Sequence, residues 1–249
     1  MSEKKHKGLI IIPVYNESAS IMRLIYELAE IYPHWDILVV NDASSDGSGE
    51  LAESTGKAIV IDLPYNLGIG GCVQTGFRYA RNHKYDIALQ FDGDGQHRVE
   101  EIRKLIKPIR DDEADVVIGS RFNVRHNGYK TQTLRRIGIK IFEWLSFVLI
   151  RQKITDHTSG FRAYNRKAFT FLADHYPTDF PEPEVVILLG RNGFRMKEVF
   201  TQMLRRQGGV SSITLARGPY YMIKVMLSMI MASVRTRIIN EELDGYERD

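Results

Sequence analysis

Short apolar runs alternate with amphipathic segments over the first 120 residues of the chain, and this alternation restricts the fold more than any other feature. Each apolar run has the length of a buried strand and is followed by charged or turn-forming residues. The runs span residues 7–12, 36–41, 58–62, 86–91 and 114–119. Strands that alternate with helices predict an α/β fold with a mostly parallel central sheet and helices on both of its faces.

Polar residues follow the ends of four of the five predicted strands. They are, in chain order, Tyr15, Glu17, Asp42, Asp92, Asp94 and Arg121. In open parallel sheets, ligands bind beyond the carboxyl ends of the strands. The sequence therefore predicts that these side chains gather at one edge of the sheet and form a ligand site there.

Asp92 and Asp94 lie one residue apart at the end of the fourth predicted strand, in the segment 86–97, which reads DIALQFDGDGQH. Paired carboxylates supply the hard oxygen ligands that suit Mg²⁺ or Mn²⁺ when the metal is bound together with phosphates. Asp-Gly pairs are also ordinary turn residues, so the segment alone leaves a plain turn open. Two carboxylates this close repel each other unless a cation or hydrogen bonds compensate.

A single cysteine, Cys72, excludes a disulfide framework and agrees with a reducing, cytoplasmic location. The basic N-terminal residues lead into an apolar run that is too short for a signal peptide. No window reaches the roughly 18 consecutive apolar residues of a membrane span. We therefore expect a globular protein without a membrane-crossing helix.

Basic residues are concentrated in two stretches, although the net charge of the chain is only +3. Residues 121–153 hold eight Lys or Arg against one acid, Glu143, and residues 203–237 hold six and no acid. Each stretch contains an apolar predicted helix, over 134–150 and 219–239. Basic residues around apolar helices favour contact with an anionic lipid surface. Burial of these helices between copies of the chain is the alternative.

Several short segments carry a resemblance to a known family. They are 13–17 (PVYNE), 41–42 (ND), 46–48 (DGS), 66–68 (NLG), 92–96 (DGDGQ) and 119–121 (GSR). In this order they resemble the family-2 glycosyltransferases. Two further segments, 158–162 (TSGFR) and 206–211 (RQGGVS), resemble the polyprenyl-phosphate branch, which is similar to the dolichyl-phosphate mannosyltransferases. The resemblance runs over residues 8–212.

The resemblance implies a GT-A fold with C-terminal amphipathic helices beside the sheet. It divides the chain into a glycosyltransferase domain over residues 1–213, an apolar and basic helix over 214–240 and an acidic tail over 241–249. The helix is expected to contact the membrane surface or a second copy of the chain. The protein is expected to be peripheral to the cytoplasmic face of the membrane.

Family-2 membership implies an inverting, metal-dependent transfer of a sugar from a UDP- or GDP-sugar, with Mg²⁺ or Mn²⁺ as the cofactor. The branch implies polyprenyl phosphate, of the undecaprenyl or dolichyl type, as the acceptor. A small membrane protein that supplies membrane spans and a second copy of the chain are expected partners. Nucleic acid is not an expected partner.

The resemblance also assigns a donor site. Its residues are Pro13, Tyr15, Glu17, Asp42, Asp92, Arg206 and Ser211. The segment 13–17 would line the base and ribose, and Asp42 would contact a ring N–H of uracil or guanine. Arg206 and Ser211 would fold over the diphosphate. Asp46 is expected to be a turn residue at the start of a helix.

The metal is assigned by the resemblance to Asp94, with Asp92 and Gln96 beside it. Such a metal neutralises charge on the departing nucleoside diphosphate, which is a Lewis-acid role. His97, the next residue along the chain, is expected to be a solvated loop histidine.

Arg121 and Arg135 are the expected acceptor-phosphate residues, because their spacing of fourteen matches two arginines that grip the lipid phosphate in the branch. A guanidinium fork suits two phosphate oxygens. Ile139 stands where the branch has a phosphate-contacting serine, so the sequence departs from the pattern there. Arg162 is expected to form a salt bridge at the edge of the sheet.

Glu184 is the candidate general base, and with Asp94 and Arg121 it forms the predicted catalytic set. A hydroxyl acceptor needs a base within hydrogen-bond reach, whereas a phosphate acceptor is already ionised. A first-turn acid stabilised by the helix dipole is the competing interpretation of Glu184. Transfer to a hydroxyl of a lipid-linked or cell-surface saccharide is therefore the alternative activity. Nucleotidyl transfer, as in sugar-nucleotide pyrophosphorylases, and a non-catalytic scaffold are further alternatives.

Overall fold

The computed structural model describes residues 6–121, 133–177, 181–203 and 218–234. Within these residues, seven strands form one sheet. The strands are β1 (Gly8–Val14), β2 (Trp35–Asn41), β3 (Ile59–Asp62), β4 (Ile87–Gln90), β5 (Val116–Ser120), β6 (Arg162–Asn165) and β7 (Met196–Phe200). Their order across the sheet is β3-β2-β1-β4-β6-β5-β7.

Neighbouring strands run parallel except at β6, which is antiparallel to both β4 and β5. The prediction of a mostly parallel sheet is confirmed. Because β6 runs in the opposite direction, its start lies at the edge where the parallel strands end. The loop before β6 therefore reaches the same edge as the loops after β1, β2, β4 and β5.

Helices lie on both faces of the sheet. Those in the described residues are α1 (Ile21–Ile31), α2 (Ser48–Ser54), α3 (Gly68–Asn82), α4 (Ile102–Arg110), α5 (Thr133–Ile150), α6 (Arg166–His175), α7 (Pro181–Arg191) and α8 (Gly218–Val234). A 3-10 turn, Val99–Glu101, leads into α4. The predicted helices over 134–150 and 219–239 correspond to α5 and α8.

The central strand β1 shows why two cores form. Successive side chains of a strand point to opposite faces of its sheet. Leu9 and Ile11 belong to the core beneath α3, α6 and α7, whereas Ile10 and Ile12 belong to the core beneath α1 and α4. All four side chains are fully buried. Burial of each contributes about 1.5–3 kcal/mol, so β1 anchors both layers of helices.

Pro13 does not end β1, which continues to Val14. The predicted strand over residues 7–12 therefore ends two residues before the observed one. Proline fixes φ at a value that an extended strand accepts, and it removes only its own N–H. Beyond it, Val14 O accepts a hydrogen bond from Asp42 N at 2.8 Å. The end of β1 is thereby tied to the loop that follows β2.

The C-terminal helix α8 packs against α7 and touches α5. Val225 and Met229 are buried, while Leu227 and Met231 are exposed. None of the described helices is both long and apolar enough to cross a membrane. The boundary predicted after residue 213 and the acidic tail over 241–249 lie outside the described residues. The division of the chain therefore stays a prediction.

Candidate active site

The loops after β1, β2 and β4 are joined by hydrogen bonds between side chains and backbone. Ser20 Oγ donates to Gly93 O at 2.8 Å, which connects the loop after β1 to the loop after β4. Glu17 N donates to Ser48 Oγ at 2.9 Å, which connects the first loop to the start of α2. The three loops therefore form one surface at the carboxyl edge of the sheet.

Asp46 strengthens the connection between the loops after β1 and β2. Its Oδ2 accepts from Ser18 N at 3.0 Å, and its Oδ1 accepts from Ser48 N at 3.0 Å and from the Ser48 hydroxyl. Burial acts to raise the pKa of this carboxyl, but the hydrogen bonds outweigh burial and lower the pKa to about 2. The expected turn role of Asp46 is confirmed.

Asp42 is buried, and its carboxylate holds the start of α3. Its Oδ1 accepts from Leu67 N at 2.7 Å, and its Oδ2 accepts from Gly68 N at 2.9 Å. Each carboxylate oxygen has a second lone pair, so these bonds leave acceptor capacity for a ring N–H. The contact of Asp42 with the base of a donor stays a prediction.

The other residues predicted to line the base and ribose lie beside Asp42. Tyr15 is 53% exposed and Glu17 is half-buried, both on the loop after β1. An exposed aromatic ring offers a flat face on which a nucleobase can stack. Pro13 lies against Gly93, where a Cβ would come within 3.2 Å of the Pro13 carbonyl oxygen. The structure thus brings these residues to one edge.

Asp92 is held between His97 and Gly160. His97 Nε2 donates to Asp92 Oδ2 at 3.0 Å. A Cβ at Gly160 would lie 2.6 Å from Asp92 Oδ1 and 2.9 Å from Oδ2, so the carboxylate needs a glycine there. Asp92 Oδ1 is buried and makes no hydrogen bond within the described part of the chain. Burial acts to raise the pKa of Asp92, but His97, Arg121 and Arg162 outweigh burial and lower it.

His97 is 5% exposed, so the expectation of a solvated loop histidine is wrong. The centroid of its ring lies 4.6 Å from that of Phe161 and 5.7 Å from that of Phe91. Its backbone forms an antiparallel bridge with Met203. The glycine-rich segment suggested an open turn, but Phe161 and Met203, which are distant in sequence, enclose the ring.

Asp94 and Gln96 lie on the same turn as Asp92, and both are half-buried. Gln96 N donates to Asp94 Oδ1 at 3.0 Å. Gly95 between them has a φ of +69°, a left-handed conformation that favours glycine. Among the residues that the structure describes, no three His, Cys, Asp or Glu side chains lie together as a metal site. The turn itself supplies two carboxylates, those of Asp92 and Asp94.

Arg121, at the end of β5, is bound by Asp156. Its Nε donates to Asp156 Oδ2 at 2.8 Å, and its Nη2 donates to Asp156 Oδ1 at 2.6 Å. Nη2 also donates to Thr158 Oγ1 at 2.6 Å. Burial acts to raise the pKa of the Asp156 carboxyl, but Arg121 outweighs burial and lowers it. The guanidinium group of Arg121 thus binds a protein carboxylate. Its contact with an acceptor phosphate stays a prediction.

Glu198, on β7, holds the segment that contains Asp156. Its Oε1 accepts from Thr155 N at 2.9 Å and from Asp156 N at 2.7 Å. Its Oε2 accepts from Thr155 Oγ1 at 2.9 Å. Burial raises the pKa of Glu198. Asp156 and Glu198 were not among the predicted site residues; the signal that points to Glu198 is an acid directly before two hydrophobic residues, Val199 and Phe200.

Arg162 lies on β6 in the interior of the sheet and is 1% exposed. Its Nε donates to Ser159 O at 2.8 Å, and its Nη2 donates to His157 O at 3.0 Å and Glu182 O at 2.9 Å. The expectation of a salt bridge at the sheet edge is therefore wrong. Three backbone carbonyls solvate this buried cation, whose charge also acts on Asp92.

Glu182 and Glu184 both lie in the first turn of α7. Glu184 is buried. Burial raises the pKa of Glu182, and the charges of Arg162, Asp92 and Arg121 also act on it. Glu182 therefore shares the electrostatic surroundings of Asp92. The role of Glu184 as the base stays a prediction.

The side chains of three predicted site residues lie outside the described residues. The backbone of Arg135 belongs to α5, but its side chain lies outside the described residues, as does that of Ile139. Arg206 and Ser211 lie wholly outside the described residues. Their contacts with an acceptor phosphate or a donor diphosphate stay predictions.

The chain is similar to proteins of known family. The family model described as glycosyl transferase family 2 matches residues 9–172. The UDP-N-acetylglucosamine–dolichyl-phosphate N-acetylglucosaminyltransferase of Methanococcus voltae is 28% identical over 242 residues, which cover 89% of this chain and 94% of that protein. The polyprenol monophosphomannose synthase of Mycolicibacterium smegmatis is 30% identical over 218 residues, which cover 84% and 81%.

A solved structure of glucosyl-3-phosphoglycerate synthase from Mycobacterium tuberculosis, in complex with Mn²⁺, UDP-glucose and phosphoglyceric acid, has a TM-score of 0.69. The match covers 93% of this chain and 81% of that chain at 16% identity, and it shows the fold. The expected GT-A fold is confirmed. The family match includes the strands and loops that carry Asp42, Asp92, Asp94 and Arg121. The chain belongs to glycosyl transferase family 2 and is a glycosyltransferase.

Proposed function

We propose that the protein transfers a sugar, with inversion, from a UDP- or GDP-sugar to a polyprenyl phosphate at the cytoplasmic face of the membrane. The observation that carries the proposal is the similarity, over more than four fifths of the chain, to two lipid-linked sugar transferases. Their names specify a dolichyl-phosphate acceptor in one case and a polyprenol monophosphomannose product in the other.

The donor would lie across the loops after β1, β2 and β4. Tyr15 supplies an exposed ring for the base, and Asp42 supplies a fixed carboxylate for a ring N–H. The diphosphate would then reach the turn that carries Asp92 and Asp94. Hydrogen bonds between the loops hold these groups in place before a ligand binds, which reduces the entropy lost on binding.

Asp92 and Asp94 fit a Mg²⁺ or Mn²⁺ ion that is bound jointly with a diphosphate. Mg²⁺ commonly takes only one or two protein carboxylates and completes its shell with phosphate oxygens and water. Asp92 Oδ1 is a buried oxygen that no described donor satisfies, and Gln96 N steadies Asp94. When bound, the metal would supply Lewis-acid stabilisation of the charge that develops on the departing nucleoside diphosphate.

Arg121 and Arg135 would bind the acceptor phosphate. The side chain of Arg121 is 29% exposed, and Asp156 fixes the plane of its guanidinium group. Arg121 acts electrostatically on Asp92, which places its positive charge beside the proposed donor site. A phosphate acceptor is already ionised, so these residues need only bind and orient it.

The helices α5 and α8 would bring the site to the lipid. Both carry exposed apolar side chains, which are Trp144, Phe147, Val148, Leu227, Ile230, Met231 and Val234. Basic residues on or beside the same helices are exposed as well, namely Lys140, Arg151, Lys153 and Lys224. Apolar side chains flanked by basic ones favour an anionic membrane interface. A second copy of the chain or a small membrane protein would cover the same surface in the competing arrangement.

The acceptor is tested by measuring UDP or GDP release from a panel of UDP- and GDP-sugars, with and without undecaprenyl phosphate. We expect one donor whose turnover requires the lipid phosphate, and a glycosylated lipid in the mass spectrum. Omission of divalent cations should abolish this turnover. Turnover that ignores undecaprenyl phosphate and depends on a saccharide would contradict the proposed acceptor.

Membrane attachment is tested separately, by flotation with vesicles of phosphatidylglycerol and of phosphatidylcholine. We expect the protein to float with the anionic vesicles, and the double substitution Trp144→Ser and Met231→Ser to reduce flotation. Retention of the protein in the unbound fraction, together with a dimer in sedimentation analysis, would favour the competing arrangement.

Transfer to a hydroxyl is the second candidate function, and one observation favours it. Burial raises the pKa of the Glu182 carboxyl, and the negative charge of Asp92 also acts to raise it. A raised pKa suits a carboxylate that accepts a proton. Glu182→Gln and Glu184→Gln distinguish the two functions. A large loss of turnover with intact donor binding in either variant supports a hydroxyl acceptor. Retained turnover in both supports a phosphate acceptor.

A further inference from the structure

We propose that His97 is a positioning residue for Asp92, whose carboxylate it orients toward the donor diphosphate and its metal. The inference rests on the proposed donor role of Asp92. It assigns a role to a buried imidazole that was expected to be solvated. His97 would act through Asp92 and would itself touch neither substrate.

The imidazole ring of His97 is enclosed by the protein. The side chain of His97 is only 3% exposed. Phe161, which directly precedes β6, lies against its face, and Phe91 contacts it edge-on. The bridge to Met203 fixes the backbone. These contacts hold the ring with Nε2 3.0 Å from Asp92 Oδ2, where an Nε2–H donates to the carboxylate.

Within the described residues, the other groups around Asp92 do not orient its carboxylate. Gly160 leaves room for the carboxylate but contributes no side chain. Gln90 Nε2 lies 3.1 Å from the point where a Gly160 Cβ would be, yet it is buried and forms no hydrogen bond in the described residues. Within those residues, the bond from His97 Nε2 is the one hydrogen bond to the Asp92 side chain.

The acceptor of the hydrogen bond from His97 is a carboxylate oxygen of Asp92. A hydrogen bond to an ionised carboxylate is shorter and stronger than one between neutral groups. Groups that orient metal-binding side chains typically change metal affinity by about 10–100-fold when they are removed. His97 therefore has this orienting role toward Asp92.

Two substitutions separate the hydrogen bond from the packing. His97→Phe keeps a ring against Phe91 and Phe161 and removes the donor. His97→Gln places an amide N–H near the position of Nε2. Mn²⁺ binding is measured by electron paramagnetic resonance, and binding of Mn²⁺ with UDP or GDP by calorimetry. We expect His97→Phe to weaken both by about 10-fold or more and His97→Gln to recover most of the loss.

A double-mutant cycle with Asp92→Asn tests whether His97 acts through Asp92. In the Asp92→Asn background, His97→Phe should add no further loss of affinity. His83→Phe is the control, because His83 stacks on Tyr79 at the opposite edge of the sheet and the substitution keeps that stacking. Thermal unfolding identifies a variant that fails to fold, in which case His97→Gln decides.

The outcomes distinguish the inference from the function on which it rests. If Asp92→Asn weakens Mn²⁺ and nucleotide binding but His97→Phe binds like the parent, His97 has no positioning role. Additive losses in the cycle would also overturn the inference, because they would show independent effects. If neither Asp92→Asn nor His97→Phe changes binding, or if the parent binds no Mn²⁺, the proposed donor role of Asp92 is wrong as well.

Discussion

Asp92 and Asp156 lie at the same edge of the sheet, but the protein satisfies them to different degrees. Asp156 is fully buried and accepts hydrogen bonds from the backbone, Nε and Nη2 of Arg121. Asp92 accepts one bond from His97, and its Oδ1 has no partner among the described residues. Buried polar atoms in native proteins are nearly always paired, so an unpaired one needs a reason. We infer that Asp156 supports the site and that Asp92 serves a ligand.

The largest effect on turnover is expected from Asp92→Asn. The substitution keeps the shape of the side chain and removes its charge, so turnover should fall about 100-fold or more, the scale for losing one electrostatic contact at a reacting centre. The free energy of unfolding should change by less than about 1 kcal/mol. Nucleoside diphosphate release and urea unfolding measure the two quantities.

Asp111→Asn is the matched control for this prediction, since Asp111 is a carboxylate paired with Lys107 at the end of α4, away from the site. It should retain the turnover of the parent. Equal turnover in the Asp92 and Asp111 variants would show that Asp92, like Asp111, does not serve a ligand.

The largest effect on stability is expected from Asp156→Ala. It leaves the Arg121 guanidinium without its carboxylate, and removing one partner of a buried ion pair costs about 3–5 kcal/mol. Urea unfolding of this variant, of Arg121→Ala and of the double variant gives the coupling energy. A loss below about 0.5 kcal/mol, as for ordinary surface pairs, would show that Asp156 does not support the edge.

A smaller effect is expected from Gly160→Ala. The added Cβ would approach both oxygens of Asp92 to less than 3 Å and must displace the carboxylate. Such overpacking costs about 1–3 kcal/mol. In an Asp92→Gly background the same Cβ has room, so the penalty should nearly vanish there. If the loss of unfolding free energy persists in that background, the added Cβ clashes with Gln90 or the backbone and not with Asp92.

The smallest effect concerns Asp46 and acid. Its pKa of about 2 lies below the ordinary value of 3.8, so the ionised carboxyl contributes stability that is fully present above pH 4. This contribution is lost as the pH falls from about 4 to about 2. Asp46→Asn should therefore be slightly less stable than the parent at neutral pH and equal to it near pH 2. Urea unfolding across this range measures the difference, and a constant difference would contradict the assignment.

Local signals predicted much of the fold and of the donor edge. The five early strands are marked by apolar runs, and Asp42, Asp92 and Asp94 follow strand ends, where parallel sheets bind ligands. The positions of these residues can be predicted from their neighbours in sequence. The antiparallel direction of β6 was not predicted, because the direction of a strand depends on its partners across the sheet.

The misplaced residues depend on contacts that are distant in sequence. Asp156 contacts Arg121, 35 positions earlier, and Glu198, 42 positions later. His97 is enclosed by Phe161, and Arg162 is solvated by carbonyls of two other segments. A sequence shows such a residue as an ordinary loop or edge side chain. Its burial, and hence its role, appears only when the chain is folded.

The position of β6 between β4 and β5 also sets the order in which the protein can be assembled during synthesis. A nascent chain that ends after β5 holds β1 to β4 and a fifth strand with no neighbour to pair with. Only when β6 enters are β4 and β5 joined, and the same step places Gly160 against Asp92 and Phe161 against His97. A chain that lacks β6 therefore lacks the surroundings of Asp92 and His97, and the joining of β4 to β5 and the formation of these contacts are a single event.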